Sequence, residues 1–117
     1  MSVRRVVPDL VTDRPEESRR FYEDVLGFEV GMDLGWIVTL VSPNNPTAQI
    51  SLSPWSEDKP LLPSITVEVA DVDATHEAAV AAGHEIAYPL TDEPWGVRRF
   101  FVVDPGGVMI NVMAHTG

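Results

Sequence analysis

Residues 98–115 read RRFFVVDPGGVMINVMAH. Two runs of β-branched, aromatic and other apolar residues flank Asp-Pro-Gly-Gly, which spells strand, tight turn, strand. The second run alternates, with Val108, Ile110 and Val112 on one face and Met109, Asn111 and Met113 on the other. A polar Asn111 in the middle of an apolar strand therefore points away from the face that packs.

Working outward, SITVEVA (64–70) is a strand with Ile65, Val67 and Val69 on one face. DVDATHEAAVAAG (71–83) is a helix capped by Asp71 or Asp73 and ended by Gly83, and HEIAYPLTD (84–92) is a further strand. The first half of the chain repeats this plan. VRRVVPDLV is a strand, and PEESRRFYEDVL is a helix with Phe21, Tyr22, Val25 and Leu26 at helical spacing. Thr12 or Asp13 caps it, Pro15 sits in its first turn, and Gly27 closes it. FEVGMD, GWIVTLVS and TAQISLS follow as three strands, the last two separated by SPNNPT. The chain is thus read as one domain of two βαβββ modules, 1–53 and 64–117, joined by a linker at 54–63 (PWSEDKPLLP). Neither module buries enough surface alone, so pairing of their sheets is expected. The fold class is α+β, with cupped mixed sheets, helices outside and a shared concave face.

The bulk composition narrows the function classes. A length of 117 residues suits one compact domain. No apolar run approaches the roughly 18–20 residues that cross a bilayer, and the N-terminus lacks the apolar stretch of a signal peptide, so a cytoplasmic protein is expected. Cysteine is absent, which removes disulfides, thiolate metal sites and cysteine nucleophiles. A net charge of −10 repels phosphate backbones, which argues against nucleic acid as a partner. The same charge keeps a small protein soluble and weakly favours a cationic ligand. Phosphate-cradling and nucleophile-elbow motifs do not occur.

Alternation also says what the face opposite the core carries. Gln49, Ser51 and Ser53 oppose Ile50 and Leu52; Ser64, Thr66 and Glu68 oppose Ile65, Val67 and Val69; Asn111 opposes Ile110 and Val112. One face packs, and the other is wet or binds something.

FYEDVLGFEV (21–30) and DPGGVMINV (104–112), together with PWGVRRFFVVDPGG (94–107), resemble the vicinal oxygen chelate superfamily, the glyoxalase/bleomycin resistance protein/dioxygenase group. The paired layout covers nearly the whole chain, and the PWG-to-DPGG stretch is most similar to bleomycin-resistance-type members. The resemblance implies two cupped sheets forming a cleft, usually in a homodimer. It also implies that family enzymes hold a divalent metal there through His, Glu or Gln, one from each of four strands. Aligned on FYEDVLGF, those positions fall at Val7 (or Val6 with a one-residue slip), Ser51, Ser64 and Asn111. Valine cannot ligate, serine hydroxyls are weak ligands, and asparagine offers one neutral oxygen. A metal-free cleft is therefore expected, with Asn111 as a polar lining residue where an enzyme carries a carboxylate.

The other candidates follow from this frame. Asp9 and Glu68 share parity with Val7 and Ser64, and could serve as acid–base groups or receive a cation. Trp36, Trp55 and Trp95 stand in or near loops; such rings either stack on flat ligands or pack on the sheet rim. The resemblance directs Arg99 and Phe101 to the cleft and Arg98 and Phe100 to the other side, so Phe101, Met109 and Met113 form an apolar wall. His76, His84 and His115 have no shared ligand spacing and read as solvated surface residues. The expectation is a metal-independent protein, with no cofactor, that binds a small, partly aromatic molecule, cationic or neutral, such as an antibiotic of the bleomycin type. Its binding residues are expected among Asp9, Trp36, Gln49, Ser51, Trp55, Ser64, Thr66, Glu68, Trp95, Arg99, Phe101, Met109, Asn111 and Met113. The alternative is a lyase or isomerase of the same superfamily that uses a cleft carboxylate, or metal ligands other than the four aligned positions.

Overall fold

In a computed structural model, which describes residues 2–54 and 61–116, the chain is α+β. Its elements are β1 (Val3–Val11), α1 (Pro15–Leu26), β2 (Glu29–Asp33), β3 (Val38–Ser42), β4 (Asn45–Ser53), β5 (Ile65–Val69), α2 (Val72–Ala81), β6 (Glu85–Glu93), β7 (Val97–Val103) and β8 (Met109–His115). The order is βαβββ twice. The chain divides into two compact units, one of residues 7–62 and one of residues 1–6 with 63–117, so that β1 is shared between them. Most of the stretch read as a linker, Trp55 included, lies outside the described residues.

In the unit of residues 7–62 the strands run β2-β3-β4-β1. β1 lies parallel to β4, with Asp9 opposite Ser51, and the other neighbours are antiparallel. The buried residues include Leu40 and Leu52. The start of α1 differs from the sequence reading. Its N-cap is Arg14, whose side chain makes no capping bond, and Pro15 occupies the first turn. Thr12 cannot cap, because its hydroxyl accepts from the Arg14 N–H and bonds the Ser18 hydroxyl instead. Glu16 and Glu17 in the first turn still suit the helix dipole. The C-terminal end follows expectation: Gly27 takes a left-handed φ of 75°, and Phe28 N–H returns to Tyr22 O. The apolar stripe of α1 is only partly covered, since Phe21, Val25 and Leu26 remain exposed. β4 also starts earlier than expected, at Asn45, because Pro43 and Asn44 suffice for a two-residue hairpin loop.

In the unit of residues 1–6 and 63–117, β5-β8-β7-β6 form the sheet, with β5 parallel to β8. Residue 2 joins it where Ala70 N–H donates to Ser2 O. α2 starts at Asp71, which accepts from Ala74 N–H, so the first of the two expected caps is used. α2 covers a core of Val69, Val72, Phe100 and Val112, with Val67, Ala79, Ile86, Leu90, Val102 and Ile110 packed around it. Phe100 has no exposed surface. His76, read as a solvated surface residue, is half-buried, and its ring meets Phe100 edge-on at 4.9 Å. DPGG is a turn because Asp104 Oδ1 accepts from both Gly106 and Val108 N–H.

Arg98 lies on the helix side, where it donates to Asp73 of α2 at 2.9 Å and pairs with Asp92. That hydrogen bond holds the Asp73 carboxyl below the usual carboxylate range. A pKa depressed in the folded state means that the pair's contribution is present at neutral pH and lost as pH falls through the folded value. We expect Arg98→Ala to return the Asp73 carbon resonance to an ordinary carboxylate titration. We expect Phe100→Ala to cost about 3–5 kcal/mol in denaturant unfolding. A loss below about 1 kcal/mol would mean that the core is not centred on this ring.

Candidate functional site

The face of β5-β8-β7-β6 opposite α2 carries most of the residues singled out by alternation. Ladder register sets Thr66 opposite Asn111, Asn111 opposite Phe101, Glu68 opposite Met113, and Met113 opposite Arg99. Side chains opposite one another across a ladder share a face, so these six form one patch. Phe101 and Met113 are buried at its floor. Asn111 donates through Nδ2 to Thr66 Oγ1 at 3.0 Å, while its Oδ1 is buried without a hydrogen-bond partner. Turning the amide over only exchanges which atom is orphaned. An orphaned buried polar atom costs about 1–3 kcal/mol, so Asn111 is not there for stability.

Beside it stands an aromatic and ionic cluster. The Arg99 guanidinium carbon lies 5.3 Å from the centre of the Tyr88 ring, 5.1 Å from Trp95 and 4.9 Å from Phe101. Its Nε donates to Glu93 Oε2 at 2.6 Å, and the Tyr88 hydroxyl donates to the same oxygen at 3.1 Å. The side chains of Arg99 and Glu93 are only 16% and 9% exposed. Tyr88 and Glu93 are absent from the sequence-derived residues for a definite reason. Strict alternation puts residues five apart on opposite faces. The β6–β7 register slips twice, between Ile86 and Tyr88 and between Tyr88 and Thr91, around Pro89. These bulges move Tyr88 and Glu93 onto the face of Arg99. The signal was Pro89 itself, since a proline inside a strand marks an edge or a bulge.

At the far end of the same sheet, Glu68 Oε1 accepts from Arg5 Nε at 2.6 Å. His115 Nε2 lies 3.4 Å from Arg5 Nη2 and 3.9 Å from Glu68 Oε2. The His115 side chain is half exposed, beside the Arg5–Glu68 pair. Ser64 stands just before β5, with its N–H bonded to Met109 O.

In the unit of residues 7–62, the buried Ser51 hydroxyl donates to Asp9 at 2.6 Å. Gln49, two residues along the same face, turns its amide back to Pro46 O. Val7 is buried, and Trp36 is half-buried before β3. A shallow cavity of about 280 Å³ on α1, lined by Arg14, Glu17, Ser18, Phe21 and Tyr22, contains none of the expected binding residues.

Residues 4–112 match the profile of the Glyoxalase/Bleomycin resistance protein/Dioxygenase superfamily. The chain belongs to that superfamily. Curated proteins give no match. Among solved structures, a superfamily member from Vibrio splendidus 12B01 is similar with a TM-score of 0.68 at 23% identity, over 97% of this chain and 99% of that one. A methylmalonyl-CoA epimerase from Mycobacterium tuberculosis gives 0.73 at 18%, over 98% and 88%. The Mn(II)-bound glyoxalase from Novosphingobium aromaticivorans gives 0.70 at 20%, over 99% of this chain and 38% of that one. At these identities the likeness establishes the fold.

The divalent metal that the superfamily implies does not fit the side chains present. Of the four aligned positions, Val7 has no donor atom, the Ser51 hydroxyl is committed to Asp9, Ser64 offers a neutral hydroxyl, and Asn111 a neutral amide. Among the described residues no three of His, Asp and Glu group closely enough to hold a metal ion. Among the same residues, no helix is long and apolar enough to cross a membrane.

Because Asn111 carries an orphaned atom, we expect Asn111→Leu to stabilise the protein. The rise in thermal midpoint should be about 3–6 °C, the equivalent of about 1 kcal/mol in a chain of this size. A fall of similar size would mean that the bond to Thr66 outweighs the orphaned oxygen.

Proposed function

We propose that this protein binds and sequesters a small, partly aromatic molecule without metal chemistry, in the manner expected of a bleomycin-resistance-like member of the superfamily. The observation that carries this reading is the neutral set at the four aligned positions, Val7, Ser51, Ser64 and Asn111. A divalent cation in a nitrogen and oxygen site needs imidazole or carboxylate, and none stands there. What the face of β5-β8-β7-β6 offers instead suits binding. Buried Phe101 and Met113 give an apolar floor, the Tyr88 and Trp95 rings frame Arg99, and Asn111 and Arg99 give a few polar groups to fix orientation. We place Met109, Thr66, Ser64 and Glu68 at the margins of this site.

The carboxylates proposed for acid–base work are already engaged. Glu68 accepts from Arg5, and Asp9 accepts from Ser51.

Native mass spectrometry tests the proposal. The freshly purified protein is measured alone and after addition of nickel, zinc, manganese or iron(II). We expect no stoichiometric metal in any sample, and a copurified small molecule as extra mass where one is retained. One metal per chain would overturn the reading and direct the search to isomerase, lyase or dioxygenase substrates.

A further inference from the structure

We propose that the Nη edge of Arg99, framed by Tyr88, Trp95 and Phe101, receives the carboxylate of an aromatic ligand; this rests on the binding reading above and names the charged group that the ligand carries. A guanidinium has two ring-stacking faces and two hydrogen-bonding edges. Here the rings of Tyr88, Trp95 and Phe101 lie within 5.3 Å of the guanidinium carbon, and Glu93 fills the Nε edge at 2.6 Å. Neither Nη nitrogen has a hydrogen-bond partner among the described residues. Yet neither is sealed in, because Asn111 Oδ1 is the sole buried side-chain polar atom among them that lacks a partner. A mostly buried guanidinium thus keeps two unpartnered Nη nitrogens in contact with solvent.

This geometry selects the ligand group. The fork donates only, so its partner must accept, and a planar carboxylate matches the two Nη groups at once. The rings and Glu93 hold the guanidinium in place, so little ordering entropy is lost when the acceptor arrives. A cationic ligand meets the opposite situation. The cage of rings and the Glu93 carboxylate are the groups that would attract it, and Arg99 already occupies them. The aromatic part of the ligand then lies over the floor beside Arg99, toward Asn111. Asn111 sits opposite Phe101, two residues along β7 from Arg99, or about 7 Å.

The test uses the whole protein and three probes of one shape and different charge: benzoate, benzamide and benzamidine. Each is titrated while the Arg99 Nε–H and Trp95 indole N–H resonances are followed by NMR. We expect benzoate to shift both signals with a Kd on the order of a millimolar, as suits a fragment of this size. Benzamide should bind at least about 5-fold more weakly, because a charge-assisted bond is lost. Benzamidine should leave Arg99 unshifted. Arg99→Lys, checked for an intact spectrum, should weaken benzoate about 10-fold, since an ammonium cannot make the two-pronged contact.

Equal binding of benzamide, preference for benzamidine, or undiminished benzoate binding by Arg99→Lys would each overturn the assignment. The wild-type comparison needs no variant, so a misfolded Arg99→Lys does not spare the proposal. If benzamide alone shifts the two signals, the inference fails and the binding reading stands. If stoichiometric metal is found while benzoate still shifts Arg99, the binding reading fails and the carboxylate assignment survives.

Discussion

Neighbouring residues of β7 must face opposite sides of the sheet, and Phe100 can face only the core. Its ring is wholly buried beneath α2, against Val69, Val72 and Val112. Burying a phenylalanine side chain contributes about 1.5–3 kcal/mol, more than any single polar contact on the strand. That one placement sets the parity of everything beside it. Arg98 goes to the helix side and meets Asp73; Arg99 and Phe101 go to the other side. Through the ladder, parity passes to β8 and β5, which fixes Asn111, Met113, Thr66 and Glu68 on the face of Arg99. A slip by one residue would bury Arg99 under α2, so register and site are specified by the same apolar contacts.

β6 shows how that rule is broken to build something. It is an edge strand, and Pro89 cannot donate to a ladder. The register slips around it place Tyr88 and Glu93, five residues apart, on the same face. A regular strand could give Arg99 the tyrosine ring or the glutamate, but not both. Bulges at an edge therefore do more here than protect the sheet from pairing with another chain.

The legible part of the molecule follows from local physics. The alternation of β5 and β8, a cap at the first of the two aspartates Asp71 and Asp73, the Gly27 terminus and the DPGG turn each depend on residues close in sequence, and each is present in the fold. The face carrying Asn111 is legible for the same reason, since alternation alone assigns it. What escaped reading depends on partners or on irregularity. Thr12 reads as a helix cap until its hydroxyl is seen bonded to Ser18. His76 reads as solvated until Phe100 is placed against it. Tyr88 and Glu93 are invisible to strict alternation because the bulges reverse their parity. The family's metal positions illustrate a different limit: the resemblance locates them, but their chemistry follows from the side chains that stand there, Val7, Ser51, Ser64 and Asn111.

The Arg99–Glu93 pair also bears on what the face is for. Taking two charges out of water costs several kcal/mol each, and their attraction returns little beyond that cost. Apolar residues of similar volume would leave the sheet at least as stable. The same holds for Asn111, whose orphaned oxygen an isosteric leucine would remove. A face selected for packing alone would carry neither feature. Two adjacent departures from the cheapest packing, on one face and opposite a well-formed core, are the pattern expected where stability is given up for a site. The two features are also complementary in chemistry. Arg99 offers open donors, Asn111 an unused polar group, and Phe101 stands opposite Asn111 in the ladder, its ring tilted against Tyr88 at 4.9 Å. A ligand with an acceptor at one end and a flat apolar body would meet the unsatisfied groups while covering the ring.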